Sequence, residues 1–266
     1  MSLGVLGWRW AALRNGLQDA TAYRIEFLFE FLGSAFVPAA VQWIVWYALF
    51  QLGGATTVAG MTYVDMIQYT LMSVLFTQIR GGDQDFELQE MIRTGGLSNY
   101  LLRPVGVVEF VFIRGLAPKL FIAGFCLVIG FAISLFFPFS ALRMLGAMLL
   151  ALMGNIIHYQ LGAALSTVAF YWEEAFAMLM VKNLIVSLLS GEKIPLNLIP
   201  EAYSWIWKST PFYLYVFAPT QFALGRSSIT QFAGELLLSL VWVVACWGLI
   251  RLTWGLSIKR YLSLGG

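Results

Sequence analysis

Residues 31–52 contain no charged side chain, and residues 144–172 contain only one titratable group of that kind, His158. About 20 apolar residues in helical form cross the hydrocarbon core of a bilayer, so each run is long enough to do so. A chain with several such runs cannot bury them all in a water-soluble core. The remaining sequence agrees, since 60% of the residues are hydrophobic and only 11% are charged, against about a quarter charged in soluble domains. The runs are too long for barrel strands, which would be about ten residues with alternating polarity. An all-α integral membrane protein is therefore expected.

Gaps in charge predict six transmembrane helices at about 27–52, 61–80, 112–137, 141–171, 175–190 and 230–252. Residues 1–266 then make a single transmembrane domain with no room for a second, soluble one. Leu6, Trp10, Leu13 and Leu17 recur at helical spacing, which predicts an amphipathic interface helix over about 4–25. No small-residue cleavage site follows it, so a removable signal peptide is not expected. Placing the N-terminus in the cytoplasm puts Arg9, Arg14, Arg80, Arg93, Arg103, Arg114, Arg251 and Lys259 inside. Only Arg143, Lys193, Lys208 and Arg226 then fall outside. Both termini are expected in the cytoplasm.

Residues 191–226 are too broken to span and too apolar for a solvated loop. Pro195, Pro200, Pro211 and Pro219 forbid one helix but suit the starts of short ones. Tyr203, Trp205, Trp207, Phe212 and Tyr213 favour the membrane interface. The expectation is a re-entrant outer helical hairpin between spans five and six; an aromatic loop lying flat on the surface is the alternative.

On the other side, residues 83–95 read as a short helix that opens on Asp83 and Asp85 and closes on Arg93 before Gly95. Leu88, Met91 and Ile92 form its apolar side, with Glu87 and Glu90 polar. By itself this could be a solvated loop helix.

Two stretches carry a resemblance. "LLSGEKIPLNLIP" followed by "TPFYLYVFAPTQFALG", together with "MIRTGGLSNYLLRPVG", resemble the corresponding segments of permease subunits of type-2 ATP-binding-cassette (ABC) exporters. Glu192 and Lys193 depart from that pattern, which has small or apolar residues there. The resemblance implies a bacterial cytoplasmic (inner) membrane permease that pairs with a second copy or a related permease. It also implies separate ATPase subunits that carry ATP and Mg, with no cofactor in this chain. The segment with Asp83, Asp85, Glu87, Leu88, Glu90, Met91 and Arg93 would be the coupling helix, with Glu173 and Glu174 a lesser contact. Spans two and five would line the cargo path, through Met66, Thr70, Ser73, Phe76 and Thr77 on one and Met178, Lys182, Asn183 and Ser187 on the other. Pro195, Pro200, Trp205, Trp207, Pro211 and Phe212 would shape an outer gate.

Polar groups within spans are costly and draw attention. Ala147, Ala151, Gly154, His158 and Gly162 form a stripe that lets another helix approach closely. Lys182 requires an acidic partner, a wet cavity or an anionic ligand, and Glu173 or Glu174 is the nearest acid in sequence. No G-x-x-x-x-G-K-[ST] is present, so hydrolysis must come from a partner and this chain is not itself an enzyme. One His and two Cys exclude an ordinary structural zinc site, and no basic cluster points to nucleic acid. The expected function is an exporter permease moving an amphipathic, lipid-like or drug-like cargo. A stand-alone secondary transporter or channel using His158 and Lys182 is the alternative.

Overall fold

The computed structural model describes residues 2–22, 24–81, 84–102, 105–137, 140–172 and 175–261. Their order is α1 (Ser2–Ala22), α2 (Arg24–Tyr47, continued as a wider turn through Ala48–Leu52), α3 (Tyr63–Arg80), α4 (Gln84–Arg93), α5 (Ser98–Leu101), α6 (Val107–Ser134) and α7 (Ala141–Ser166). After these come α8 (Ala175–Leu189), α9 (Ser204–Lys208), α10 (Phe217–Ala223) and α11 (Ile229–Ser257). No named strand occurs among the described residues.

Four segments are long and apolar enough to cross a membrane: Phe29–Leu52, Val107–Ser134, Ala141–Phe170 and Ile229–Arg260. The other two expected spans take different forms. α3 is 18 residues and begins with a reciprocal cap between Thr62 and Asp65, but it carries many polar side chains. It tolerates them because it is enclosed by α2, α6, α7 and α10, with Tyr69, Thr70, Ser73 and Phe76 buried. α8 has 15 residues, or about 22 Å at 1.5 Å per residue, short of a core about 30 Å thick.

α7 is the hub, packed by α11, α10, α4, α3, α6 and α8. Its small residues make this possible. A side chain at Gly154 would come within 2.8 Å of the Tyr215 Cα, and one at Gly146 within 2.6 Å of the Phe222 ring. Ala147 and Ala151 are fully buried in the same packing.

α1 packs on α6 through a face other than the apolar one the sequence marks. Ala12 is fully buried and Gly16 lies directly on the Arg114 carbonyl, whereas Trp10 and Leu17 are exposed. Close helix approach needs small side chains, which leaves the large ones for the surrounding medium.

Beyond α8 the chain breaks into short pieces. Pro195, Pro200 and Pro211 each stand immediately before a three-residue helical turn, at Leu196–Leu198, Glu201–Tyr203 and Phe212–Leu214. α10 then returns the chain into the bundle, with Ala218, Pro219, Thr220, Phe222 and Ala223 buried against α7 and α3. The expected coupling residue Asp83 and the acids Glu173 and Glu174 lie outside the described residues.

Candidate functional site

α4 turns its apolar side to the bundle. Leu88 and Ile92 pack with Val107, Val111, Tyr159 and Ala163, and Asp85 and Gln89 are buried on the same side. Only part of the expected docking face is therefore at the surface. Glu90 and Arg93 pair there at 2.8 Å and are half exposed. Glu87 is partly exposed and pairs with Arg114 at 3.0 Å, while Met91 is half-buried against the cluster. Asp85 and Leu88 face inward, away from any docking partner, because a short helix lying on a bundle must bury one side.

Asp85 ends in a second use. Its carboxylate accepts from the Lys182 ammonium of α8 in a buried ion pair. His158 Nε2 of α7 lies 3.3 Å from the same Nζ. Ser166 Oγ donates to the Asp85 carbonyl at 2.8 Å, and Gly162 leaves no room for a side chain beside the Asp85 carboxylate. The described partner of Lys182 is thus 97 residues away in sequence, not the adjacent acids, and α4, α7 and α8 meet at one charged knot. The small stripe on α7 serves both purposes, since His158 and Gly162 sit at this knot.

A second polar cluster fastens the turn after α8. Tyr69 donates to the Gly191 carbonyl at 2.6 Å, and Gln42 Nε2 donates to the Glu192 carbonyl at 2.9 Å. Arg80 holds the buried Glu192 carboxylate at 2.7 Å. Trp46 and Gln42 both engage the Thr70 hydroxyl, at 2.9 and 3.2 Å. Of the two residues that depart from the family pattern, Glu192 is buried and held in this cluster, while Lys193 lies exposed 3.5 Å from its carboxylate.

The expected path residues separate. Met66, Thr70, Ser73 and Phe76 are buried in helix packing and line none of the larger openings. Thr77 lines a cleft between α2, α3 and α6. Met178 and Lys182 border an apolar opening between α7, α8 and α11, with Asn183 and Ser187 half-buried on α8. In the expected gate, Pro195 and Pro211 are buried, Pro200 is exposed and Phe212 is half-buried. Trp205 is exposed, but Trp207 is buried with its ring edge-on to Tyr213 and Phe217. Arg80 was readable only as an inner-boundary charge. Its pairing with Glu192 joins residues that helix spacing cannot connect.

The family model described as "ABC-2 family transporter protein" matches residues 36–265. The chain belongs to the ABC-2 transporter family. No curated protein and no solved structure matches it. The matched ABC-2 domain is a membrane transport permease rather than a nucleotide-binding domain, and members of the family normally work with ATPase subunits. In this ABC-2 chain the knot around Asp85 meets α8 at Lys182, midway along Ala175–Leu189, and the second half of α8 leads from there to the turn at Gly191–Lys193.

Proposed function

We propose that this chain is the pore-forming permease of an ABC exporter, a homodimer or heterodimer in a bacterial cytoplasmic membrane. In this reading α3 and α8 complete six spans, both termini are cytoplasmic, and the 191–226 segment is a re-entrant outer hairpin. The cargo is amphipathic, lipid-like or drug-like. ATP and Mg belong to separate ATPase subunits docked beneath α4.

One observation carries the mechanism. Asp85 of α4 grips Lys182 of α8, whose far end leads directly into the turn held by Tyr69 and Arg80. Movement imposed on α4 from below is passed by a buried ion pair to α8 and by α8 to the hairpin. A buried pair resists separation because parting it strands a charge in a dry interior. The engagement of Lys182 by Asp85 favours this coupled reading over a stand-alone transporter in which Lys182 titrates.

Docking is tested at the exposed end of α4. Glu90→Lys with Arg93→Glu reverses the surface charges and leaves the buried side intact. Mismatched charges at an interface cost affinity, and stimulated ATP turnover in the co-expressed complex is expected to fall about tenfold, equivalent to ~1.4 kcal/mol. Equal turnover and equal co-purification of the ATPase would contradict docking at this site.

Orientation has its own test. Cys126 and Cys246 are free and buried, so a background lacking both is used. Single cysteines at the exposed positions Ser209 and Thr230 are expected to react with an impermeant thiol reagent on intact cells, and one at Glu90 only after permeabilisation. The reverse pattern would invert the topology.

A further inference from the structure

α2 is apolar on most of its surface but carries Glu30, Ser34 and Gln42 at positions that share a face, four and eight residues apart, with Pro38 between. Polar side chains on a membrane helix face either the bundle or a water-filled cavity. Here they face a cleft of about 590 Å³ bounded by α2, α3, α6 and the turn after α8. α2 packs along α3 and touches α6 through Phe31 against Phe125, and the cleft opens beside these contacts.

The lining carries both signs of charge, in a definite order. Glu192 is already held by Arg80 and Lys193, and Glu87 by Arg114. Glu30 has no ion-pair or hydrogen-bond partner among the described residues and is exposed to the cleft. Arg80 borders the cleft with its terminal nitrogen on Glu192, and its Nε is enclosed away from the opening. Lys119 Nζ donates to the Gln78 carbonyl at 3.3 Å, and Gln78 Oε1 accepts from Ser34 at 2.9 Å. Gln78 therefore brings Lys119 near the level of Ser34, whereas Glu30 is one turn, about 6 Å, nearer the start of α2.

We propose that this cleft holds the headgroup of a zwitterionic phospholipid of the inner leaflet, its phosphate beside Lys119 and its ammonium against Glu30. With the N-terminal end of α2 at the cytoplasmic surface, the orientation proposed above, this order of charges matches a lipid whose tails point to the membrane centre. The cleft is a lipid site within one chain that borders α3 at Thr77, a residue of the expected cargo path, and its occupancy needs no ATPase.

Native mass spectrometry of the purified chain tests it, with phosphatidylethanolamine and phosphatidylglycerol supplied in equal amount as probes. The wild type is expected to retain the ethanolamine lipid over the glycerol lipid by about fivefold, near 1 kcal/mol. Glu30→Gln removes the ammonium's partner at an exposed position and is expected to abolish the preference, leaving phosphate-dependent binding of both lipids. Ser34→Trp fills the cleft and is expected to lose both adducts while the melting temperature stays within a few degrees. Equal retention of the two lipids by wild type, or a preference that survives Glu30→Gln, would overturn the proposal. The orientation test with single cysteines fails or succeeds independently of this result.

Discussion

Lys182→Met is expected to destabilise the folded chain by roughly 3–5 kcal/mol, because it leaves the Asp85 carboxylate buried with no cation to face it. His158 lies 3.3 Å from the ammonium that would be lost. Adding Asp85→Asn removes the stranded charge, and the double variant is expected to recover at least half of the loss in thermal or denaturant unfolding in detergent micelles. Transport per ATP is expected to remain low in that double variant, since the link between α4 and α8 is gone although the fold is restored. A single variant as stable as wild type would show that the pair carries no weight.

The second large effect is at Gly191. Its φ of +82° is one that residues with side chains avoid, at a cost of about 1–3 kcal/mol. An added Cβ would also come within 2.7 Å of the Tyr69 hydroxyl and 2.9 Å of the Phe217 Cβ. Tyr69 would have to leave the Gly191 carbonyl that it holds at 2.6 Å. Gly191→Val is expected to cost more than the backbone term alone and to loosen the turn that joins α8 to the hairpin. Unfolding midpoint and cargo export are both expected to fall, while Gly234→Ala, with open space around it, is expected to change neither. Wild-type stability and export in Gly191→Val would show that the turn is not constrained as described.

Much of the architecture was legible because uncharged runs report directly on burial in lipid. The long apolar stretches of α2, α6, α7 and α11 were readable in this way. Prolines 195, 200 and 211 were readable as starts of short turns, since proline acts on its own backbone. The features that escaped depend on partners distant in the chain. Asp85 looked like a charge placed to suit a helix N-terminus, and nothing in its neighbourhood points to Lys182. Leu88 belonged to an apolar side whose direction only packing decides, and it faces the bundle. The large apolar residues of α1 marked an interface helix, and Trp10 and Leu17 are exposed, whereas the contact with α6 is made by Ala12 and Gly16, which carry no hydrophobic signal of their own. Glu192 was visible as a departure from the family pattern, and its burial against Arg80 explains that departure. The Glu30, Ser34 and Gln42 face was readable in principle from spacing, but a polar stripe on an apolar helix does not indicate whether it meets protein or a cleft.

The central claim is that α4 and α8 move as one piece. Spin labels on cysteines at Glu90 of α4 and Leu184 of α8, both exposed, report it directly in the Cys126- and Cys246-free background with the partner ATPase bound. The distance between them is expected to change by no more than about 1–2 Å between the nucleotide-free and ATP-trapped complexes, and to shift on trapping in Asp85→Asn with Lys182→Met. A wild-type shift of about 5 Å, one helical turn, would contradict it.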